Sequence, residues 1–97
     1  MNIEISSKEY ERRLNWHDAK LYCDLLTIDG KMDWRLPTKD ELNEIYNSKN
    51  DFVGLYYWSS TEYSGNYAWF QNLSNGNQDY DLKDFSSYVR AVRSSVI

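Results

Sequence analysis

The chain has 97 residues, 41% of them hydrophobic and 16% aromatic, with one proline, four glycines and a net charge of −4. That length supports one core and one domain, 1–97, and the composition excludes a disordered chain. The acidic balance excludes direct binding to a nucleic-acid backbone, which needs a basic surface, and no apolar run is long enough for a membrane helix.

In chain order, Ile3 and Ile5 alternate with polar neighbours, a short strand signal. The opening residues "MNIEISSKEYERR" lack the apolar stretch of a secretion signal. "LNWHDAKLYCDLL" then predicts a helix near 15–27. Asn15 is its N-cap, Asp18 sits in the first turn where the dipole favours an anion, and Trp16, Ala19, Cys23 and Leu26 form one apolar face. Asp29-Gly30 ends the helix in a loop.

"WRLPTKDELNEIYN" is the best-punctuated segment. Trp34-Arg35-Leu36 is extended, because Pro37 disfavours helix before it. Thr38 and Glu41 make a capping box, and Leu42, Ile45 and Tyr46 supply the buried stripe of a second helix near 38–48.

From Phe52 the period changes to two. Strands are expected at Tyr56 to Ser60, Tyr67 to Leu73 and Asn77 to Leu82, with "YVRAVR" as the last. Asn75-Gly76 marks a hairpin, since both residues tolerate positive φ. The whole reads as an α+β fold, two helices packed on a small twisted antiparallel sheet from residues 56–93. Trp16, Ala19, Cys23, Leu36, Leu42, Ile45, Trp58 and Trp69 are the expected core.

"NWHDAKLYCDLL", "DWRLPTKDEL", "YWSSTEYSGNYAWFQNLSNG" and "YVRAVR", in that order from about Asn15 to Arg93, resemble the Lcl-type C-terminal domain family. Domains of that family look like relatives of the compact C-type-lectin-like fold of formylglycine-generating enzymes and retroelement-diversified receptor-binding proteins. The resemblance implies architectural roles for Trp58 and Trp69. It also implies a second cysteine in the last strand, where this chain has Ala91. A lone thiol suits a reducing compartment. The chain reads as a minimal, free-standing version of the domain, and as cytoplasmic. It would be secreted or surface-displayed if excised from a larger protein.

Catalysis is not expected. His17 is the only histidine, with no nucleophile motif beside it, and Cys23 lies on the buried helix face where a thiol is inert. The active-site cysteines of formylglycine-generating enzymes are absent. No cofactor is expected. Asp79, Asp81 and Asp84 invite a calcium hypothesis, but their spacing is not that of a binding loop, and a charged strand edge explains them. Arg35, Arg90 and Arg93 are expected to pair internally, with Glu62 or Asp33.

What remains is the mixture of tyrosine with asparagine and serine in residues 56–80, which offers rigid contact area beside adaptable hydrogen bonds. The candidate binding residues are Tyr56, Tyr57, Tyr63, Asn66, Tyr67, Asn75, Asn77 and Tyr80. Tyr63, at the loop tip "EYSGN", is expected to have the fewest neighbours. The sequence therefore points to a non-catalytic binding module. The first reading is binding to a protein partner inside a cell, as an inhibitor encoded by a phage or mobile element would do. The alternative is a glycan-binding lectin-like module of a surface or adhesin protein, as the resemblance implies. A structural or oligomerising unit is a third reading, and no sequence signal specifies an oligomeric state.

Overall fold

The computed structural model of the protein describes residues 2–48, 52 and 54–95. Along them run β1 (Ile3–Ile5), a 3-10 turn at Lys8–Tyr10, β2 (Arg12–Asn15), α1 (Trp16–Leu25) and α2 (Lys39–Asn47). Then follow β3 (Tyr56–Glu62), β4 (Tyr67–Asn72), β5 (Gln78–Leu82), β6 (Ser86–Val89) and β7 (Val92–Ser94). β1 and β7 form a two-stranded sheet, and the other five strands line up in the order β2-β6-β3-β4-β5. The expected α+β arrangement is present.

Local signals explain both helix starts. Asn15 takes extended backbone and its side chain accepts the Asp18 N–H, which caps α1. Thr38 and Glu41 close the full capping box on α2. Glu41 also takes both Nη atoms of Arg35, at 2.6 and 2.9 Å. Arg35 itself is held by paired backbone bonds to Val92, each 2.8 Å. The segment "RLPTKDE" is thus one unit, in which a bidentate pair ties the helix cap to the extended residues before Pro37. That pair holds the Glu41 carboxyl below the usual carboxylate range. Thr38→Ala should lower stability by about 1 kcal/mol, read as a shift in urea midpoint at unchanged slope.

The core lies in two adjoining clusters. Trp16, Ala19 and Cys23 of α1 meet Trp34, Leu36, Trp58, Ala68, Val89 and Ala91 in one. Leu42 and Ile45 of α2 meet Tyr57 and Val92 in the other. Cys23 and Ala91 share a cluster, so the position that resemblance associates with a second cysteine faces the thiol's own surroundings. Burial pushes the Cys23 thiol up to about 12. Native labelling should therefore be slow and become fast in denaturant. The sign for stability follows from linkage. The unfolded thiol releases its proton near pH ~8.5 while the folded one keeps it, so this contribution is complete below that pH and is lost as pH rises toward the folded value.

Several expectations are corrected. Arg12 to Asn15 form an additional strand, β2, paired antiparallel with β6, while α1 begins at Trp16 as its expected N-cap Asn15 requires. Their apolar spacing is too short to separate a strand from a helix start, and pairing with a distant segment decided it. "YVRAVR" is two strands in two sheets, because Arg90 and Ala91 turn the chain from β6 into β7. β6 lies beside β3 and runs parallel to it, meeting at Tyr57 and Tyr88. In the β4–β5 turn only Gly76 takes positive φ, at 84°. A Cβ there would also lie 2.6 Å from the Tyr46 ring, so both backbone and packing require glycine.

Candidate functional site

In β4 and β5, Trp69 stands opposite Tyr80 and Gln71 opposite Gln78. These residues point to the side of the sheet that carries α2. There Gln71 donates to Asn43 Oδ1 at 3.0 Å, and Gln78 donates to the Lys39 carbonyl at 3.3 Å. α2 stops short of the β3–β4 loop, and aromatic rings fill the uncovered end. Tyr63 lies flat on Tyr80, with centroids 3.8 Å apart and planes 3° from parallel. Tyr67 and Trp69 meet the pair edge-on, at 5.6 and 5.4 Å from Tyr80. Lys39 Nζ sits 4.0 Å over the Trp69 ring.

Tyr63 is 51% exposed and Tyr80 39%, so the stack presents its rings to solvent while its inner edges are braced. The neighbouring Tyr63 hydroxyl raises the Tyr80 hydroxyl above the ordinary phenol range. Two backbone bonds hold the loop beneath it, from the N–H groups of Tyr63 and Ser64 to the Tyr67 carbonyl, at 2.9 and 3.1 Å. Asn66 is exposed at the loop tip, and its carbonyl accepts the Lys83 N–H at 2.8 Å.

The eight candidate residues do not make one surface. Tyr63, Asn66, Tyr67 and Tyr80 gather at this end of the sheet. Tyr56, Asn75 and Asn77 sit at the other end of β3, where Asn77 Nδ2 donates to the Tyr56 hydroxyl at 3.3 Å. Asn75 is occupied in its own turn, accepting the Asn77 N–H at 2.9 Å. Tyr57 is fully buried, so its assignment to a binding surface is corrected: it faces α2 in the core. Tyr63 is corrected too, since it touches three aromatic neighbours instead of standing alone. Trp69, expected in the core, is only half-buried, because Lys39 and Tyr80 cover it where a helix would otherwise lie.

The charged residues resolve simply. Arg93 binds Asp33 through Nε and Nη2 at 2.6 and 3.1 Å, and also reaches Glu4. Glu62 takes Lys83 at 2.6 Å, in place of an arginine. Lys83 is nearly buried, with its ammonium 4.4 Å over Trp16. His17 is exposed beside Trp16. Among the described residues no three His, Cys, Asp or Glu side chains converge to hold a metal ion.

A second apolar surface escaped the sequence reading. Leu21 and Leu25 project from α1, 56% and 73% exposed, and with Leu14, Tyr22 and Leu26 line a shallow groove. Its signal was present. The two leucines are four residues apart and off the stripe of Trp16, Ala19 and Cys23.

A family model described as the Lcl C-terminal domain matches residues 4–93. No curated protein sequence matches the chain.

Proposed function

Because the chain belongs to the Lcl C-terminal domain family, we propose that it is a non-catalytic module that binds a protein partner through the Tyr63–Tyr80 stack. The observation that carries this reading is the pre-ordered aromatic surface. Two parallel stacked rings, braced by Tyr67 and Trp69, stay exposed at the end of the sheet. Exposed aromatic clusters of this kind mark interaction sites, and rings already held in place lose little entropy on binding. Asn66 at the rim adds hydrogen-bonding groups of the sort recognition surfaces use. The net charge of −4 favours a partner with a basic face.

The test pairs affinity with melting. Partners retained on the immobilised domain are purified, and binding of each is measured directly with wild type and with Tyr63→Ala and Tyr80→Ala. A central ring should contribute roughly 1–3 kcal/mol to binding. Loss of the stack should cost the fold only about 1 kcal/mol, since both rings are about half in water. If both variants bind a purified partner as wild type does, the stack is scaffold. If the domain instead retains oligosaccharides on a glycan array, and Tyr63→Ala abolishes that, the glycan reading replaces this one.

A further inference from the structure

Neighbouring residues of a strand point to opposite faces, so Phe70 and Asp81 lie on the side of the sheet away from Trp69 and Tyr80. A cavity of about 470 Å³ is lined by both of them together with Arg13, Ser87 and Tyr88. Its apolar floor is Tyr56 stacked on Phe70, with centroids 4.2 Å apart, and Tyr88 forms a wall. Gly54 lets that wall stand close, because a Cβ there would lie 2.6 Å from the Tyr88 ring.

The polar groups around this floor are free in an informative way. Arg13 has a cation–π contact with Tyr88, at 5.7 Å, and no carboxylate partner among the described residues. Asp81 accepts only the N–H of Leu82, at 2.8 Å, and meets no cation. Ser87 is 93% buried, yet its hydroxyl makes no hydrogen bond among the described residues. Arg35, Arg90 and Arg93 hold carboxylates, whereas Arg12, like Arg13, has only carbonyl and ring contacts among the described residues. What sets Arg13 and Asp81 apart is that both line one aromatic-floored cavity.

We propose that this cavity binds a short zwitterionic peptide with an aromatic or other flat apolar side chain. The peptide carboxylate would meet Arg13 and the Ser87 hydroxyl, its ammonium group would meet Asp81, and its ring would lie on Tyr56 and Phe70. Size agrees with this. Arg13 is on β2 and Asp81 on β5, the two edges of the five-stranded sheet, and with their offset along the strands they are about 22 Å apart. Once both side chains reach in, the remaining gap of roughly 12 Å is that of about three to four extended residues. The volume lies within the range of small-molecule sites. The site is separate from the Tyr63–Tyr80 stack and does not depend on it.

Calorimetry with the whole chain tests the proposal, using glycyl-phenylalanyl-glycine at millimolar concentration as the probe. The expected result is measurable binding by the zwitterion and none by the same peptide acetylated and amidated at its ends. Arg13→Gln and Asp81→Asn should each weaken binding by about tenfold or more, since each removes one charge-assisted contact, while melting stays as in wild type. No heat from the zwitterion overturns the proposal, as does equal binding of the capped peptide. Wild-type affinity in a variant that melts normally also overturns it. Should one variant melt early, the other decides. Heat from a neutral oligosaccharide, with none from the peptide, would assign the cavity to sugars and reject the peptide.

Discussion

Trp58→Ala should be among the most destabilising single changes in this protein, costing about 3–5 kcal/mol. Trp58 is completely buried, in the cluster where α1 meets β3, β4 and β6. Its ring stacks on Phe70 at 5.4 Å, and its Nε1 donates to the Leu14 carbonyl at 3.0 Å. Truncation removes the largest fully buried side chain and leaves a cavity walled by Trp16, Phe70 and Val89. It also takes the Leu14 carbonyl's only side-chain donor at that point. A small domain has about 5–15 kcal/mol in total, so the variant should be partly unfolded at ambient temperature or melt far earlier. Trp58→Phe keeps an aromatic ring without the N–H and should cost clearly less. Trp69→Ala should also cost less, because that ring is half in water. A urea series on the three variants checks the order, and a Trp58→Ala loss below about 1 kcal/mol would contradict it.

Glu11→Ala should cost a comparable amount, about 3–5 kcal/mol, by a different route. Arg90 is almost fully buried, and its Nη1 binds Glu11 Oε1 at 3.1 Å while its Nε donates to the Ser6 carbonyl at 2.9 Å. The same Glu11 oxygen accepts the Tyr57 hydroxyl at 2.6 Å, and that hydroxyl accepts the Gly54 N–H at 2.9 Å. Burial first, and then the hydrogen bond to Glu11, raise the Tyr57 hydroxyl well above the ordinary phenol range. Removing the carboxylate leaves a guanidinium with no counter-charge away from water, and leaves Tyr57 without its acceptor. The double variant Glu11→Leu with Arg90→Met should recover much of the loss, because the penalty lies in the stranded charge and not in the absent attraction. If Glu11→Ala alone melts like wild type, water reaches Arg90 and the network is not sealed.

The two networks differ in how far the sequence disclosed them. The helix starts were legible because a cap is local: Asn15 with Asp18, and Thr38 with Glu41, act across three residues. The internal pairing of the three arginines is legible in kind, but of the two expected partners only Asp33 holds an arginine, Arg93. Glu11 as the partner of Arg90 was not, since the two are 79 positions apart and nothing in either neighbourhood specifies the other. β2 was missed for the same reason: its pairing partner, β6, enters 71 or more residues later in the chain.

The candidate site shows the same division. Period-two alternation determined that Tyr67, Trp69 and Gln71 share one face of β4 and that Tyr56 and Tyr57 point apart. The sequence by itself also determined the α+β class, the capped helices, the glycine turn and a core around Trp16, Cys23, Leu42 and Trp58. Only the tertiary structure decided which face was covered, and how far along. α2 lies over Tyr57 and Gln71 and ends before Tyr63, so neighbouring aromatics with identical local chemistry met opposite fates. Tyr57 became core, whereas Tyr63 and Tyr80 became an exposed stack. The three residues 83–85 that carry the chain from β5 to β6 likewise brought Ser86 and Ser87 to the cavity floored by Tyr56 and Phe70. Burial depends on contacts between segments far apart in the chain, and a residue's own neighbours in sequence do not specify those contacts.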